Sequence, residues 1–169
     1  LLSRPALSAR HVAFIYADDL WGADLDGRNV RRLTSDIGVE SFPVFSPDGS
    51  LLAFTGEYDG NVDVYVVPAS GGVPRRLTWH PAADTALAWS PDGKKILFTS
   101  NRISYSRFAK LFIVALDGGP EEELPLPMGF EGAFSPDGAR IAYVPIGRAF
   151  DAWKRYRGGM TTPIWIADL

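Results

Sequence analysis

The tetrapeptide Ser-Pro-Asp-Gly occurs three times in this chain, at residues 46–49, 90–93 and 135–138. Successive copies begin 44 and 45 residues apart, which indicates a chain built from structural repeats. Proline suits the first central position of a type I turn, aspartate tolerates the second, and glycine takes the left-handed position that follows. Each copy therefore predicts a hairpin between an inner strand and the next strand of its repeat.

The segments that follow each turn also recur in a fixed order. We predict second strands at 12–16, 51–55, 96–99 and 141–144, third strands at 20–21, 64–67, 111–114 and 164–166, and fourth strands at 30–34, 74–78 and 121–124. The second and third strands are continuously apolar, as strands covered on both faces are. These features predict an all-β fold, a β-propeller of four-stranded antiparallel blades.

The repeat assigns about three and a half blades, roughly at residues 1–40, 41–84, 85–131 and, incomplete, 132–169. In the first unit the turn is shortened to Ser-Ala-Arg at 8–10, which leaves the geometry of that hairpin open. A closed propeller has at least four blades. We therefore expect the chain to be part of a larger protein, with a truncated chain or closure by association as the alternatives.

Composition excludes several classes of function. The net charge of −3 argues against a general nucleic-acid role, and no apolar run is long enough to span a bilayer. The absence of cysteine excludes a disulfide framework and a cysteine-based metal site. The stretch 59–63 begins like a calcium loop, but Val64 stands where glycine is required. We expect no metal and no cofactor.

The sequence also lacks a recognisable catalytic constellation. It contains two histidines, His11 and His80, and no Gly-x-Ser-x-Gly nucleophile elbow. His80 is interpreted as a loop residue that caps backbone groups. We expect no catalytic residue within this segment.

Two long connections between second and third strands form the candidate interaction surface. In a propeller these connections emerge at one end, and repeat insertions gather on the working face. Basic and aromatic side chains in them, a composition typical of interfaces, are Arg102, Tyr105, Arg107, Trp153, Arg155, Tyr156 and Arg157. In the alternative interpretation the aromatic rings cover the blade ends and the basic groups extend into solvent.

Several segments resemble those of one family. Repeats of the form Phe-Ser-Pro-Asp-Gly, followed by Gly-Gly-x-Pro-Arg-Arg-Leu-Thr, are similar to the WD40-like repeats of TolB-type propellers. The pieces Asp19-Leu20-Trp21 and Thr99-Ser100-Asn101-Arg102, with the Trp-Lys-Arg-Tyr-Arg-Gly-Gly stretch at 153–159, resemble the amino-terminal propeller of the tricorn protease family. This resemblance covers essentially the whole chain.

The resemblance implies part of a six-bladed propeller in a large serine peptidase whose catalytic residues lie downstream. The implied partners are the downstream domains of the same polypeptide (a second propeller, a PDZ domain and the catalytic core), peptides, and further copies of the parent protein. The implied location is cytoplasmic, or periplasmic or secreted if a signal peptide was removed. The segment would wall a channel for peptides. Because Glu40, Asp84 and Glu131 begin inner strands, we expect a partly acidic channel rim.

Two alternatives remain open from the sequence. The chain could be a TolB-like propeller that serves as a protein-interaction module without a hydrolase. It could also be the propeller of a prolyl-oligopeptidase-type peptidase. The domains that follow in the parent chain discriminate among the three.

Overall fold

The computed structural model describes residues 2–103, 108–147 and 161–169. All regular structure in these residues is β-strand, and it forms four consecutive antiparallel sheets. The strands of each sheet lie side by side in chain order. The predicted all-β propeller fold is confirmed, with each sheet as one blade. The described residues contain no helix that is long and apolar enough to span a membrane.

The first two blades have four strands each. The strands of the first blade are β1 (Ser3–Leu7), β2 (His11–Tyr16), β3 (Asp19–Asp24) and β4 (Arg31–Arg32). Those of the second blade are β5 (Val39–Phe45), β6 (Leu51–Tyr58), β7 (Asn61–Pro68) and β8 (Arg75–Arg76).

The third blade also has four strands, and the fourth blade has three described strands. The third blade comprises β9 (Asp84–Trp89), β10 (Lys95–Ser100), β11 (Lys110–Ala115) and β12 (Glu122–Glu123). The fourth blade comprises β13 (Glu131–Phe134), β14 (Arg140–Val144) and β15 (Trp165–Asp168).

The Ser-Pro-Asp-Gly turns connect the first and second strands of the second, third and fourth blades, as predicted. In the second blade the Ser46 hydroxyl accepts a hydrogen bond from the Leu51 amide at 3.0 Å and donates to Asp48 at 2.6 Å. Gly49 has a φ of 74°, in the left-handed region that glycine favours. The hydrogen bonds from the Ser46 and Ser50 groups lower the pKa of the Asp48 carboxyl to about 2.

The first blade forms its hairpin without Asp-Gly. The Ser8 amide donates to the His11 carbonyl at 2.9 Å, and the Ser8 hydroxyl accepts from the His11 amide at 3.0 Å. Ser8 therefore makes the same hydrogen bonds to the second strand as Ser46, across a shorter loop. The hairpin of the first blade thus resembles those of the other blades.

The fourth strands are shorter than predicted, with two residues each. The ladder extends by one further bond, because the amides of Leu33, Leu77 and Leu124 donate to third-strand carbonyls at 2.8–2.9 Å. Beyond that bond the chain leaves for the next blade. Very short outer strands leave few unpaired backbone groups, which protects a sheet edge from pairing with other chains.

The apolar core lies between blades. One buried cluster joins the first two blades, a second joins the middle two, and a third joins the last two. Phe54 and Phe98, at equivalent positions of β6 and β10, are fully buried. Burial against both neighbouring blades explains why the second and third strands are continuously apolar.

Candidate functional site

The first strands of the four blades lie next to one another. β1 contacts β5, β5 contacts β9, and β9 contacts β13. They line a groove of about 320 Å³, whose walls are formed by Arg4, Pro5, Phe42, Pro43, Val44, Ala86, Leu87, Glu131 and Gly132. We call this the axial groove, because every blade contributes its innermost strand to it.

Irregular backbone aims side chains into the axial groove. The pairing of β1 with β2 slips between Ser3 and Ala6, and that of β5 with β6 slips between Ser41 and Val44. At these bulges Arg4 and Phe42 have φ values of 52° and 51°, which are uncommon for residues other than glycine. Bulges of this kind redirect side chains and are over-represented beside functional sites. The pairing of β9 with β10 also slips, and the Leu87 position is the extra one.

The groove is amphipathic. The guanidinium of Arg4 lies 3.9 Å from the centre of the Phe42 ring, a favourable cation–π distance. Leu87 extends the apolar wall, and Glu131 supplies an exposed carboxylate. A cation and an anion therefore flank an apolar floor, an arrangement that suits a ligand with mixed polar and apolar groups.

Two of the three expected rim carboxylates are buried instead. The side chains of Glu40 and Asp84 are 1% and 0% exposed, whereas Glu131 is exposed. The expectation of a rim containing Glu40 and Asp84 is therefore corrected. Glu40 is hydrogen-bonded by groups of two blades, and Asp84 pairs with an arginine of its own blade.

Glu40 joins the first and second blades. Its carboxylate accepts hydrogen bonds from the Leu20 amide and the Thr34 hydroxyl, both at 2.5 Å, and from the Tyr58 hydroxyl. Among the described residues no cation pairs with it. Burial therefore raises the pKa of Glu40 above its ordinary value, although these hydrogen bonds oppose the shift.

Asp84 occupies the position in the third blade that Glu40 has in the second, six residues before the turn serine. It forms a salt bridge with Arg102, and its other carboxylate oxygen is buried without a hydrogen-bond partner among the described residues. Asp84 has one methylene fewer than Glu40. The Val64 amide, equivalent to that of Leu20, donates to the Thr78 hydroxyl at 3.0 Å and to no carboxylate among the described residues.

Arg102 does not project into solvent. Its side chain is 8% exposed, lies about 5 Å from the rings of Phe98 and Phe112, and also reaches Glu121 at 3.4 Å. The other members of the expected basic and aromatic surface lie outside the described residues, namely Tyr105, Arg107, Trp153, Arg155, Tyr156 and Arg157.

A set of hydrogen bonds between neighbouring blades was not predicted from the sequence. Arg31 donates to the Ala69 carbonyl of the next blade at 3.2 Å, and Arg75 donates in the same way to Leu116 at 2.6 Å. The recurrence of the Arg-Arg dipeptide at the same position of two repeats was the sequence feature that could have indicated these hydrogen bonds. In the third blade the equivalent residue is Glu122, which cannot donate.

The second arginine of each pair forms an ion pair inside its own blade. Arg32 contacts Asp19 at 2.6 Å, and Arg76 contacts the fully buried Asp63 at 2.5 Å. The third blade keeps the pair but reverses its polarity, with a lysine on the third strand and a glutamate on the fourth. Lys110 contacts Glu123 at 2.5 Å.

The described residues form no nucleophile–base pair. His80 accepts a hydrogen bond from the Ala82 amide at 3.0 Å, which confirms its interpretation as a capping residue. Neither histidine ring is bonded to a hydroxyl in these residues. They also contain no group of three potential metal-ligating His, Asp or Glu side chains.

The sequence model of one protein family, the tricorn protease N-terminal β-propeller domain, matches residues 1–169 of this chain. The chain belongs to this tricorn propeller family. It is 36% identical to tricorn protease homolog 1 of Streptomyces coelicolor over 157 residues, which is 92% of this chain and 14% of that protein. It is 31% identical to the tricorn protease of Thermoplasma acidophilum, over 98% of this chain and 16% of that protein.

Solved structures agree with this assignment to the tricorn propeller family. A crystal structure of the tricorn protease superposes with a TM-score of 0.81 and 27% identity, over 98% of this chain and 17% of that one. The TolB protein of Acinetobacter baumannii gives a TM-score of 0.77 and 25% identity, over 99% of this chain and 41% of that one. The chain thus spans about a sixth of the length of its tricorn relatives.

Proposed function

We propose that this segment is a non-catalytic part of a tricorn-like serine peptidase, and that its axial groove walls a channel through which peptides reach or leave the catalytic core. The observation that carries this proposal is the convergence of four innermost strands on one amphipathic groove. Arg4 and Glu131 supply opposite charges there, and Phe42 and Leu87 supply apolar wall.

Such a lining suits peptides of varied sequence. A peptide presents a polar backbone together with side chains of every kind, and the groove offers charged, aromatic and aliphatic contacts in a small space. The bulges also leave backbone groups of the innermost strands outside the regular ladder. We propose that some of these groups hydrogen-bond to the backbone of a passing peptide.

The parent protein would supply the remaining machinery. We propose that the segment works with downstream domains of the same polypeptide, within an oligomer of the parent protein in the cytoplasm. The segment itself would hold no catalytic residue. Arg155 and Arg157, in the long connection after β14, would contribute to docking or peptide capture.

A blocking experiment tests the channel role in the full-length parent protein. Leu87→Cys, modified with a bulky maleimide, places an obstruction in the axial groove. We expect hydrolysis of long peptides to fall several-fold, because they must pass the obstruction. Val73→Cys with the same label is the control, since Val73 is 89% exposed in the connection between β7 and β8 and does not line the axial groove. Equal turnover by the two labelled proteins would refute the proposal.

The TolB-like alternative predicts a different result. The parent of a propeller that serves only as an interaction module has no hydrolase, so neither labelled protein would hydrolyse peptides. The family match over the whole chain favours the peptidase assignment.

A further inference from the structure

A second groove lies apart from the axial groove, at the junction of the first two blades. Its volume is about 490 Å³. It is formed by the link between these blades at 36–37 and by residues of the second blade at positions 58–59, 65, 74, 76 and 79. We call it the junction groove, and its principal side chains are Asp36, Asp59, Tyr65, Arg76 and Trp79.

The walls of the junction groove are aromatic. Tyr58 and Tyr65 pack edge to face with ring centres 4.6 Å apart. Trp79 is 69% exposed, and the guanidinium of Arg76 already lies 4.2 Å from its ring centre. The indole therefore accepts a guanidinium in this very structure, and much of its surface is still open to a second cationic group.

The free charge of the junction groove is negative. Arg76 is neutralised by the buried Asp63 at 2.5 Å. Asp36 and Asp59 are both exposed, and neither has a hydrogen-bond or salt-bridge partner among the described residues. Burial is the main cause that raises the pKa of the Tyr65 phenol; the charge of Arg76 opposes the rise, and the carboxylates of Asp63, Asp59 and Asp36 add to it. Both aspartates line the same groove as the aromatic rings.

We propose that the junction groove binds the guanidinium of an arginine side chain presented by a peptide or protein segment. The planar cation would stack on the exposed part of Trp79 while its N–H groups donate to Asp36 and Asp59. A guanidinium suits this site better than an ammonium, because it is planar, stacks on aromatic rings and bonds two carboxylates through a fork of donors. This site does not depend on the channel role of the axial groove.

Ligand-observed saturation-transfer NMR tests this inference in the full-length parent protein. The probe is N-acetyl-arginine amide, and N-acetyl-citrulline amide is its uncharged near-isostere. We expect a saturable signal from the arginine probe with a dissociation constant in the millimolar range, and at least about fivefold weaker binding of the citrulline probe. Added salt should weaken the arginine signal, because the carboxylates are exposed.

Matched variants separate this site from other acidic surface. Asp36→Asn with Asp59→Asn should weaken arginine binding by about tenfold, and Trp79→Ala by about threefold. Asparagine tolerates the left-handed φ of 52° at position 59, so the turn is kept. Asp117→Asn removes one charge from an exposed turn of the third blade and should leave binding unchanged.

Three outcomes would overturn the inference: equal binding of the citrulline probe, equal binding of N-acetyl-lysine amide, or an unchanged signal in the double asparagine variant. None of these outcomes involves peptide hydrolysis. Failure here is therefore distinguishable from failure of the channel proposal.

Discussion

The guanidinium of Arg4 lies 3.9 Å over the ring of Phe42, so equivalent positions of two neighbouring blades contact each other inside the axial groove. Both residues sit four positions before their turn serine, and both have positive φ. The strained backbone is therefore a repeated feature of the groove wall, and its cost can be measured.

Arg4→Gly should relieve that strain. Glycine adopts a φ near 50° freely, whereas arginine loses about 1 kcal/mol there. We expect Arg4→Gly to give a free energy of unfolding about 1 kcal/mol higher than the control Arg10→Gly, whose site has no positive φ. Chemical denaturation followed by tryptophan fluorescence measures both. A larger loss for Arg4→Gly than for the control would show that the contact with Phe42 outweighs the strain.

The buried carboxyl of Glu40 should make the blade junction pH-dependent. Its pKa is raised in the folded state, so the folded protein holds a proton that the unfolded chain has released. Stability from this group is therefore complete below the ordinary pKa of 4.5 and falls as pH rises toward the folded-state pKa. Glu40→Gln removes the titration and should flatten this dependence.

Amide hydrogen exchange of β2 and β3 measures the effect between pH 4 and pH 8, after correction for the intrinsic exchange rate. Glu40→Ala is the contrasting variant. It leaves the Leu20 amide and the Tyr58 hydroxyl without their buried acceptor, and should cost about 2–4 kcal/mol at every pH. A wild-type pH slope retained by Glu40→Gln would exclude Glu40 as its source.

The ion pair between Lys110 and Glu123 should tolerate an exchange of its charges, which gives it the polarity found in the first two blades. Lys110→Asp alone places a carboxylate beside Glu123 and should destabilise the blade by about 0.5–1 kcal/mol. The double variant Lys110→Asp with Glu123→Arg should recover most of that loss. A double-mutant cycle from denaturant unfolding checks the coupling, and an additive result would contradict it.

Restoring an arginine at position 122 should strengthen the junction of the last two blades. Leu169 has the place after β15 that Leu116 has after β11, since its amide donates to the equivalent carbonyl, that of Ala139, at 2.9 Å. A cavity of about 390 Å³ lined by Leu169 leaves room for the new side chain. Glu122→Arg should stabilise the junction by about 0.5–1.5 kcal/mol, because it adds a hydrogen bond between the blades. Little is lost in exchange, since the contact of Glu122 with Lys95 at 3.4 Å is exposed.

Arg75→Glu is the reciprocal variant. It removes the bond to the Leu116 carbonyl and should weaken the junction of the second and third blades by a similar amount. Exchange rates of β12 and of β8 report the two junctions separately. Unchanged protection of the amides against exchange in both variants would mean that the hydrogen bonds from these arginines to the next blade do not stabilise the junctions.

The turn motif allowed most of the fold to be predicted. Ser46-Pro47-Asp48-Gly49 and its copies fix the hairpins through local hydrogen bonds, so their sequence is enough. The second strands follow because burial against two blades requires an apolar run such as 96–99. The length of the outer strands was not predictable, since it depends on where the chain departs for the next blade.

The polar part of the site was harder to predict, because it depends on neighbouring blades. An acidic residue at the start of an inner strand is typical of a solvated rim. Glu40 is buried instead, since the first blade presents the Leu20 amide and the Thr34 hydroxyl at that point. Arg102 likewise belongs to a long connection, yet Asp84 and two phenylalanine rings enclose it. No local pattern encodes such contacts.

The reversed polarity of the ion pair in the third blade has a consequence for how the strands of the chain pair during folding. Similar repeats can exchange strands during folding and produce tangled sheets. If β7 took β12 in place of β8, Asp63 would face Glu123, and if β11 took β8, Lys110 would face Arg76. Both mismatches bring like charges together beside a buried strand. The opposite polarities of these two ion pairs thus favour pairing of each outer strand with the third strand of its own sheet.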